Sequence, residues 1–364
     1  MNRFLQLDNR GIVVPTKSTI QSAGQVIPYH KNNPILHKID KLRNGGVPRI
    51  CITRKQGGIG DVLMTTPVVK SIALKYGIQV DYGTDFGYLE GALPKVLQYN
   101  PFINKIIPWD KVEVDDYDAV IDLTCPCIAH EKPLALPINR IDLFARHIQI
   151  KLIDTNLNYY ITEEEKKWAI NYLDEYNLYN KITILVQPFA NAGPRCAPPD
   201  LLKKVLAGLI QCNKNIRPII ITHSTDTTKL DWNFGNIHVI NNFSIRQIAA
   251  ILAECKLVIC PDSSILHLAA ALHHTTFTLF GPTDPRARVN YHPEAIAYWP
   301  AKRLKNYPIW YGPSVDNYLC WKLMEVPVII KSVLSMLNKT LLPPVDDFIT
   351  YGTYSQEEEY YEII

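Results

Sequence analysis

Gly57-Gly58-Ile59-Gly60-Asp61 is the stretch whose reading decides the fold. It follows the apolar run Arg49-Ile50-Cys51-Ile52-Thr53 and opens an amphipathic segment that reaches Tyr76. A Gly-rich turn between a strand and a helix presents unpaired backbone N–H groups and the positive end of a helix dipole, which suits a phosphate or another anion. The arrangement returns in the second half of the chain. There Leu257-Val258-Ile259-Cys260 runs into Pro261-Asp262-Ser263-Ser264-Ile265-Leu266-His267, and Gly281-Pro282-Thr283-Asp284-Pro285 follows soon after. Two such turns predict two α/β domains facing one cleft.

Outward from the first turn, Val62, Val69, Ala73 and Tyr76 form one helical stripe, with a kink or broken turn expected at Pro67. Strands are expected at 79–82, 103–108 and 119–123, and a helix at 138–150. A charged helix over 162–176 reads as the crossing between domains. The second half restarts with strands at 182–186, 217–222, 257–260 and 276–280. Helices are expected at 199–212, 245–255, 265–272 and 326–337. Strand–helix alternation of this kind argues for parallel sheets. The domain reading is an N-terminal extension over 1–45, an acceptor domain over 46–165, a donor domain over 166–340 and an acidic tail over 341–364.

A chain of 364 residues, 47% apolar and 20% charged, fits a soluble two-domain protein. No apolar run approaches the ~20 residues of a membrane span. The first residues lack a long apolar core of the secretory type. The eight cysteines lie mostly in apolar runs without metal-ligand spacing, which predicts reduced thiols, a cytoplasmic protein and no metal site. Charge is unevenly spread. Residues 1–50 carry eight Lys or Arg against Asp8 and Asp40, while the only charges after Lys339 are six carboxylates. A basic head suits nucleic acid, an anionic membrane face or the protein's own acidic tail.

Several stretches, in order, resemble glycosyltransferase family 9, the heptosyltransferase-like enzymes. They are Gly58-Ile59-Gly60-Asp61 through Pro67, Tyr117-Asp118-Ala119-Val120-Ile121-Asp122-Leu123, and Val186-Gln187-Pro188-Phe189-Ala190-Asn191 ending at Arg195. Asp262-Ser263-Ser264 through Ala271, Phe280-Gly281-Pro282-Thr283-Asp284-Pro285 and the late Cys320-Trp321-Lys322-Leu323-Met324 complete the set. The resemblance covers residues 48–338. It implies a GT-B fold, two Rossmann-like domains with parallel sheets facing a central cleft. It implies inverting, metal-independent transfer of a heptose-like sugar from a nucleotide diphosphate sugar, often ADP-linked, to an acceptor hydroxyl, with no cofactor. The usual family acceptor, lipopolysaccharide core, would bring the protein to the inner face of a membrane.

By resemblance Asp61 is the general base, and Gly58 and Gly60 shape the acceptor-side loop. In-line attack needs a carboxylate opposite the departing nucleotide; the local alternative is that Asp61 caps its helix. The donor set is Asn191, Arg195, Asp262, Ser263, Ser264, His267, Gly281 and Thr283. Arg195 stands where the family usually has Lys, and a guanidinium can hold two diphosphate oxygens. The N–H groups of Ser263 and Ser264 suit the diphosphate. Asp262 is expected to cap the turn or grip sugar hydroxyls, since an inward carboxylate would repel that anion. The family usually has Thr-Gly where this chain has Ser263-Ser264. Thr283 is a candidate donor to a phosphate oxygen, and Arg286 and Arg288 are weaker cation candidates. Asp116-Tyr117-Asp118, formally a D-x-D metal triplet, reads as strand-entry polarity. Asp226 is a loose match to an acidic residue near the nucleotide ribose.

Other readings differ in class. A dinucleotide oxidoreductase lacks support because Asp61-Val62-Leu63 follows Gly58-Ile59-Gly60, leaving the G-x-G-x-x-G fingerprint incomplete. An inactive nucleotide-sugar-binding module would not need Asp61, Arg195, Asp262 and His267 together. A transferase acting on a hydroxyl-bearing nucleic-acid base is motivated only by the basic extension.

Overall fold

The apolar runs of the first half become four parallel strands. β1 (Ile50–Arg54), buried throughout, pairs with β2 (Val80–Thr84), which pairs in turn with β3 (Ile103–Pro108); β4 (Ala119–Asp122) flanks β1 on its other side. The order is β3-β2-β1-β4. A parallel strand covered on both faces needs a continuous apolar run, which Ile50-Cys51-Ile52 supplies. The computed structural model describes residues 6–7, 13–14, 46–124, 138–190, 193–222, 232, 235–305, 307–309 and 319–350. Asn191, Asp226, Cys125 and Cys127, the acidic residues after Thr350 and most of the basic extension lie outside them. The chain divides into two units, the first ending at Tyr160 and the second beginning at Ile161.

The expected interruption near Pro67 separates two helices, α1 (Ile59–Leu63) and α2 (Thr66–Tyr76). Pro67 falls in the first turn of α2, where a missing N–H costs no helical hydrogen bond. Two further helices, α3 (Ala92–Leu97) and α4 (Arg140–Ile148), complete the unit. Asn139 caps α4, its side-chain oxygen accepting from the Ile141 N–H at 3.0 Å.

The second unit begins with α5 (Glu163–Glu175). Thr162 and Glu165 cap it reciprocally, and Arg246 Nε reaches Glu165 at 2.7 Å. There follow β5 (Ile182–Val186), α6 (Pro199–Cys212), β6 (Ile216–Thr222), β7 (His238–Asn241), α7 (Ile245–Glu254), β8 (Leu257–Pro261), α8 (Ser264–Ala271) and β9 (Thr276–Leu279). Short α9 (Arg286–Val289), β10 (Ala295–Tyr298), α10 (Leu319–Lys322), α11 (Val326–Asn338) and β11 (Phe348–Thr350) end the described chain. The sheet order is β11-β10-β9-β8-β5-β6-β7, parallel except for β11 against β10.

Strand β11 lies within the stretch read from the sequence as an acidic tail. Asp347, fully buried, anchors it: Arg303 Nε donates to its carboxylate at 3.1 Å and Lys302 lies 3.8 Å away. The acidic sequence there serves a buried ion pair, and the chain remains in the sheet through Thr350.

Both sheets reverse their winding once. In the first unit the chain goes β1 to β2 to β3, then returns to β4 beside β1. In the second it goes β5 to β6 to β7, then returns to β8 beside β5. At such a point the loops leaving the two central strands diverge, and ligands bind outside the carboxyl ends of the strands. The two sequence-predicted turns leave β1 and β8, one at each reversal.

Among the described cysteines, Cys51, Cys255, Cys260 and Cys320 are buried, Cys196 is half-buried and Cys212 is exposed; none is in a disulfide. Burial pushes the thiols of Cys255 and Cys260 up to about 12, so neither is a ready nucleophile. No helix among the described residues is long and apolar enough to cross a membrane.

Candidate functional site

Each reversal point holds a carboxylate. In the first unit it is Asp61, in the opening turn of α1. Its Oδ2 accepts the Gly58 N–H at 2.8 Å, so this side chain caps its own helix from the third helical position. Its Oδ1 faces two guanidiniums, Arg54 Nη2 at 3.3 Å and Arg140 Nη1 in direct contact. The Asp61 side chain keeps 15% of its surface open. Arg54 ends β1 and is itself locked: Nη1 donates to the carbonyls of Leu123 and Thr124, and its charge lies 5.2 Å from the Phe144 ring centre. Arg140 comes from the first position of α4.

Glycine is required beside this carboxylate. Gly57 has φ +120°, and a Cβ there would meet Asp61 Oδ2 at 2.7 Å and Arg54 Nη2 at 2.9 Å. Gly58 lies under the Tyr88 hydroxyl, 3.2 Å from where a Cβ would stand, and Gly60 accepts the Met64 N–H at 2.9 Å. Beside them Lys55 pairs with Asp122 at 3.3 Å, and Asp122 Oδ1 accepts the Thr124 N–H at 2.8 Å. The D-x-D triplet sits at the opposite end of β4: Asp118 accepts the Arg49 N–H at 2.8 Å, and Tyr117 donates to Asp81 at 2.8 Å. It is strand-entry chemistry, as expected.

In the second unit the carboxylate is Asp262, between β8 and α8, with its side chain 3% exposed. It points inward and does not cap the turn, which was one of the two sequence expectations for it. Arg195 Nη1 lies 3.3 Å from Oδ2, Arg288 Nε 3.8 Å from Oδ1, and the Thr283 hydroxyl donates to Oδ2 at 2.9 Å. Thr283, expected to face a phosphate, therefore serves this carboxylate. Burial alone would raise the Asp262 pKa; Arg195, Arg288 and His267, with the Thr283 hydroxyl, outweigh it and hold the carboxyl well below the usual range. Repulsion of an anion by Asp262 is thereby removed, because two guanidiniums face one carboxylate.

Ser263 occupies the N-cap position of α8, and its hydroxyl meets Gln187 Oε1 at 2.6 Å; Ser264 is the first helical residue. His267 is buried one turn along α8. Of the two weaker cation candidates, Arg286 is engaged by buried Asp284 at 2.6 Å, whereas Arg288 joins Asp262. Among the described residues no group of three or more His, Cys, Asp or Glu is placed to hold a metal ion.

Two indoles complete this corner. Trp299 Nε1 donates to the Gly281 carbonyl at 3.2 Å, and Trp321 Nε1 donates to the Pro194 carbonyl at 3.0 Å. The Trp321 ring also lies where a Gly281 Cβ would be, 2.5 Å from its Cζ2. Arg54, Arg140, Gln187 and Trp321 escape the sequence reading as site residues. A basic residue ending an apolar strand and a Gly in a Gly-Pro-Thr turn are the only local signals for them.

Two α/β units, with parallel sheets that reverse at the carboxylate-bearing loops, have the architecture of the GT-B fold. Solved structures share that fold. A family 9 glycosyl transferase from Veillonella parvula DSM 2008 has a TM-score of 0.63 at 18% identity, over 81% of this chain and 98% of that one. The ADP-heptose lps heptosyltransferase II of E. coli has 0.59 at 15% identity, over 80% and 99%. Residues 138–307 match the model of glycosyltransferase family 9 (heptosyltransferase). That stretch holds Arg140, Arg195, Asp262 and Thr283. Lipopolysaccharide heptosyltransferase 1 of Salmonella typhimurium (strain LT2) is 39% identical over 57 residues, 16% of this chain; the match spans only 18% of that relative's length.

Proposed function

We propose that this protein transfers a sugar, with inversion, from a nucleoside diphosphate sugar to an acceptor hydroxyl. Asp61 takes the hydroxyl proton as the acceptor oxygen bonds to the anomeric carbon. The bond from that carbon to the diphosphate breaks, and the nucleoside diphosphate leaves with the electron pair. Arg195 and the N–H groups of Ser263 and Ser264 receive the charge that develops on the leaving group.

The observation that carries this reading is the Asp262 corner. Arg195 and Arg288 both face its carboxylate beside the N-terminus of α8, at the strand reversal where a nucleotide is expected. The proposed reaction draws on the Arg195 guanidinium and the α8 N–H groups to receive the leaving group's charge and uses no metal ion. A heptose-like, ADP-linked donor and a lipopolysaccharide-core acceptor are the substrates that the names of its relatives favour. They would place the protein at the inner membrane face. No described residue favours the nucleic-acid alternative.

Calorimetric titration with ADP, UDP and GDP, followed by transfer assays with ADP-heptose in excess EDTA, tests the proposal. Micromolar binding of ADP with EDTA-resistant turnover is the expected result. Failure to bind any nucleoside diphosphate overturns it, and loss of turnover in EDTA overturns the metal-free step.

A further inference from the structure

Outside the residues assigned to chemistry, the contacts around Asp262 close into a ring. Arg195 reaches the carboxylate by its side chain. The residue before it, Pro194, gives its carbonyl to Trp321 Nε1. The Trp321 ring lies against Gly281, so closely that a Cβ there would stand 2.6 Å from Cε2 and 2.9 Å from Nε1. Two residues beyond Gly281, Thr283 returns to Asp262 through its hydroxyl. One indole, contributed by α10 far along the chain, thus joins the two loops that converge on one carboxylate.

We infer that Trp321 is a positioning residue for the donor site: it fixes the backbone at Pro194 and so sets where the Arg195 guanidinium can reach. The inference rests on the proposed donor role of this corner. Three features make the indole the joining element. It is buried, so its N–H must find a partner inside the protein, and the partner is the Pro194 carbonyl. Its contact face is backbone, which only glycine permits at position 281. Trp299 holds the Gly281 carbonyl from its own N–H, so the loop under Trp321 cannot easily yield. Arg195, by contrast, is 29% exposed and ends a short turn. With its backbone fixed, its guanidinium can pass from Asp262 to a diphosphate oxygen without the loop having to order first, which lowers the entropic cost of binding.

The test is a double-mutant cycle on the full chain, read by calorimetric titration with ADP. Trp321→Phe keeps most of the ring and removes the N–H. It is expected to weaken ADP binding about tenfold, the effect of about one good hydrogen bond. In an Arg195→Ala background the same change is expected to cost nothing further, because the guanidinium it positions is gone. Wild-type affinity in Trp321→Phe, or full additivity of the two changes, overturns the inference. A general packing defect would lower affinity in both backgrounds alike. If Trp321→Phe does not fold, Trp321→His, which keeps a ring N–H, replaces it, and retained affinity supports the assignment while a full loss refutes it. If the wild-type protein binds no nucleoside diphosphate, the donor reading fails. The ring is then judged by urea unfolding of the same four proteins: coupling between positions 195 and 321 supports it, and additivity removes it.

Discussion

Asp61 and Asp262 occupy equivalent places in two sheets wound the same way, and each faces two arginines, yet they differ in enclosure. Asp262 is shut away and receives side chains from two loops and from α9. Asp61 receives one backbone N–H and two guanidiniums and keeps an open edge. A carboxylate that must exchange a proton with a substrate needs that edge. One that arranges cations needs enclosure, because a low-dielectric setting strengthens every charge contact it makes. Topology supplies the place, and under the proposed function burial divides the roles.

The sharpest way to break this contrast is Asp61→Asn. Transfer should fall about a thousandfold, within the range for loss of a general base. ADP affinity and the urea midpoint should stay near wild type; normal turnover in a rapid-quench assay would remove Asp61 from the chemistry. Asp262→Ala should act the other way round. It removes a buried carboxylate that faces two guanidiniums and should cost about 3 kcal/mol of stability by urea unfolding, as expected for half of a buried pair. An unchanged midpoint would mean that the enclosure is not energetically coupled.

The same contrast predicts a response to acid. The Asp262 pKa is depressed in the folded state, so its stabilisation is complete above the ordinary carboxylate range and is lost as pH falls through and below it. Asp262→Asn should therefore flatten the fall in stability below about pH 4 relative to wild type. A smaller change follows from Gly57→Ala, where φ +120° and the Asp61 contact both oppose a side chain. A loss of about 1–3 kcal/mol by thermal unfolding is expected from strain of this kind.

The smallest effect belongs to neither corner. Burial lowers the His292 pKa, against the pull of Glu294, so the imidazole is held neutral. The unfolded chain then binds the extra proton first, and stability should rise with pH through the ordinary histidine range. His292→Gln should flatten that slope, by less than about 1.4 kcal/mol per pH unit. An unaltered slope would assign the effect to another group, such as His238, whose pKa burial also lowers.

Much of this was legible in sequence because buried parallel strands are written as unbroken apolar runs. Ile50-Cys51-Ile52 and Leu257-Val258-Ile259-Cys260 can be little else, and the turns after them carry the glycines and the carboxylates. Strands without that signature were missed. His238–Asn241 is an edge strand with Val239 exposed, Ala295–Tyr298 is short and small-featured, and Phe348–Thr350 follows a carboxylate pair that looks solvated. The charge partners were hidden for a different reason. Arg54, Asp61 and Arg140 meet only through the sheet, and nothing near Arg140 in sequence distinguishes it from an ordinary surface cation at a helix start. The inward turn of Asp262 was missed because its neutralising arginines lie far from it in sequence, Arg195 ending a short turn and Arg288 in α9.

Strand β11 has a practical bearing on fragments. It is the antiparallel border of a seven-stranded sheet, and it covers the outer hydrogen-bonding edge of β10. An expression product trimmed after α11 would lack that cover and expose Ile296 to Tyr298 as a docking template for other chains. Soluble preparations of the isolated second unit will need to retain the polypeptide at least through Thr350, with Asp347 intact as the pin that keeps the border closed.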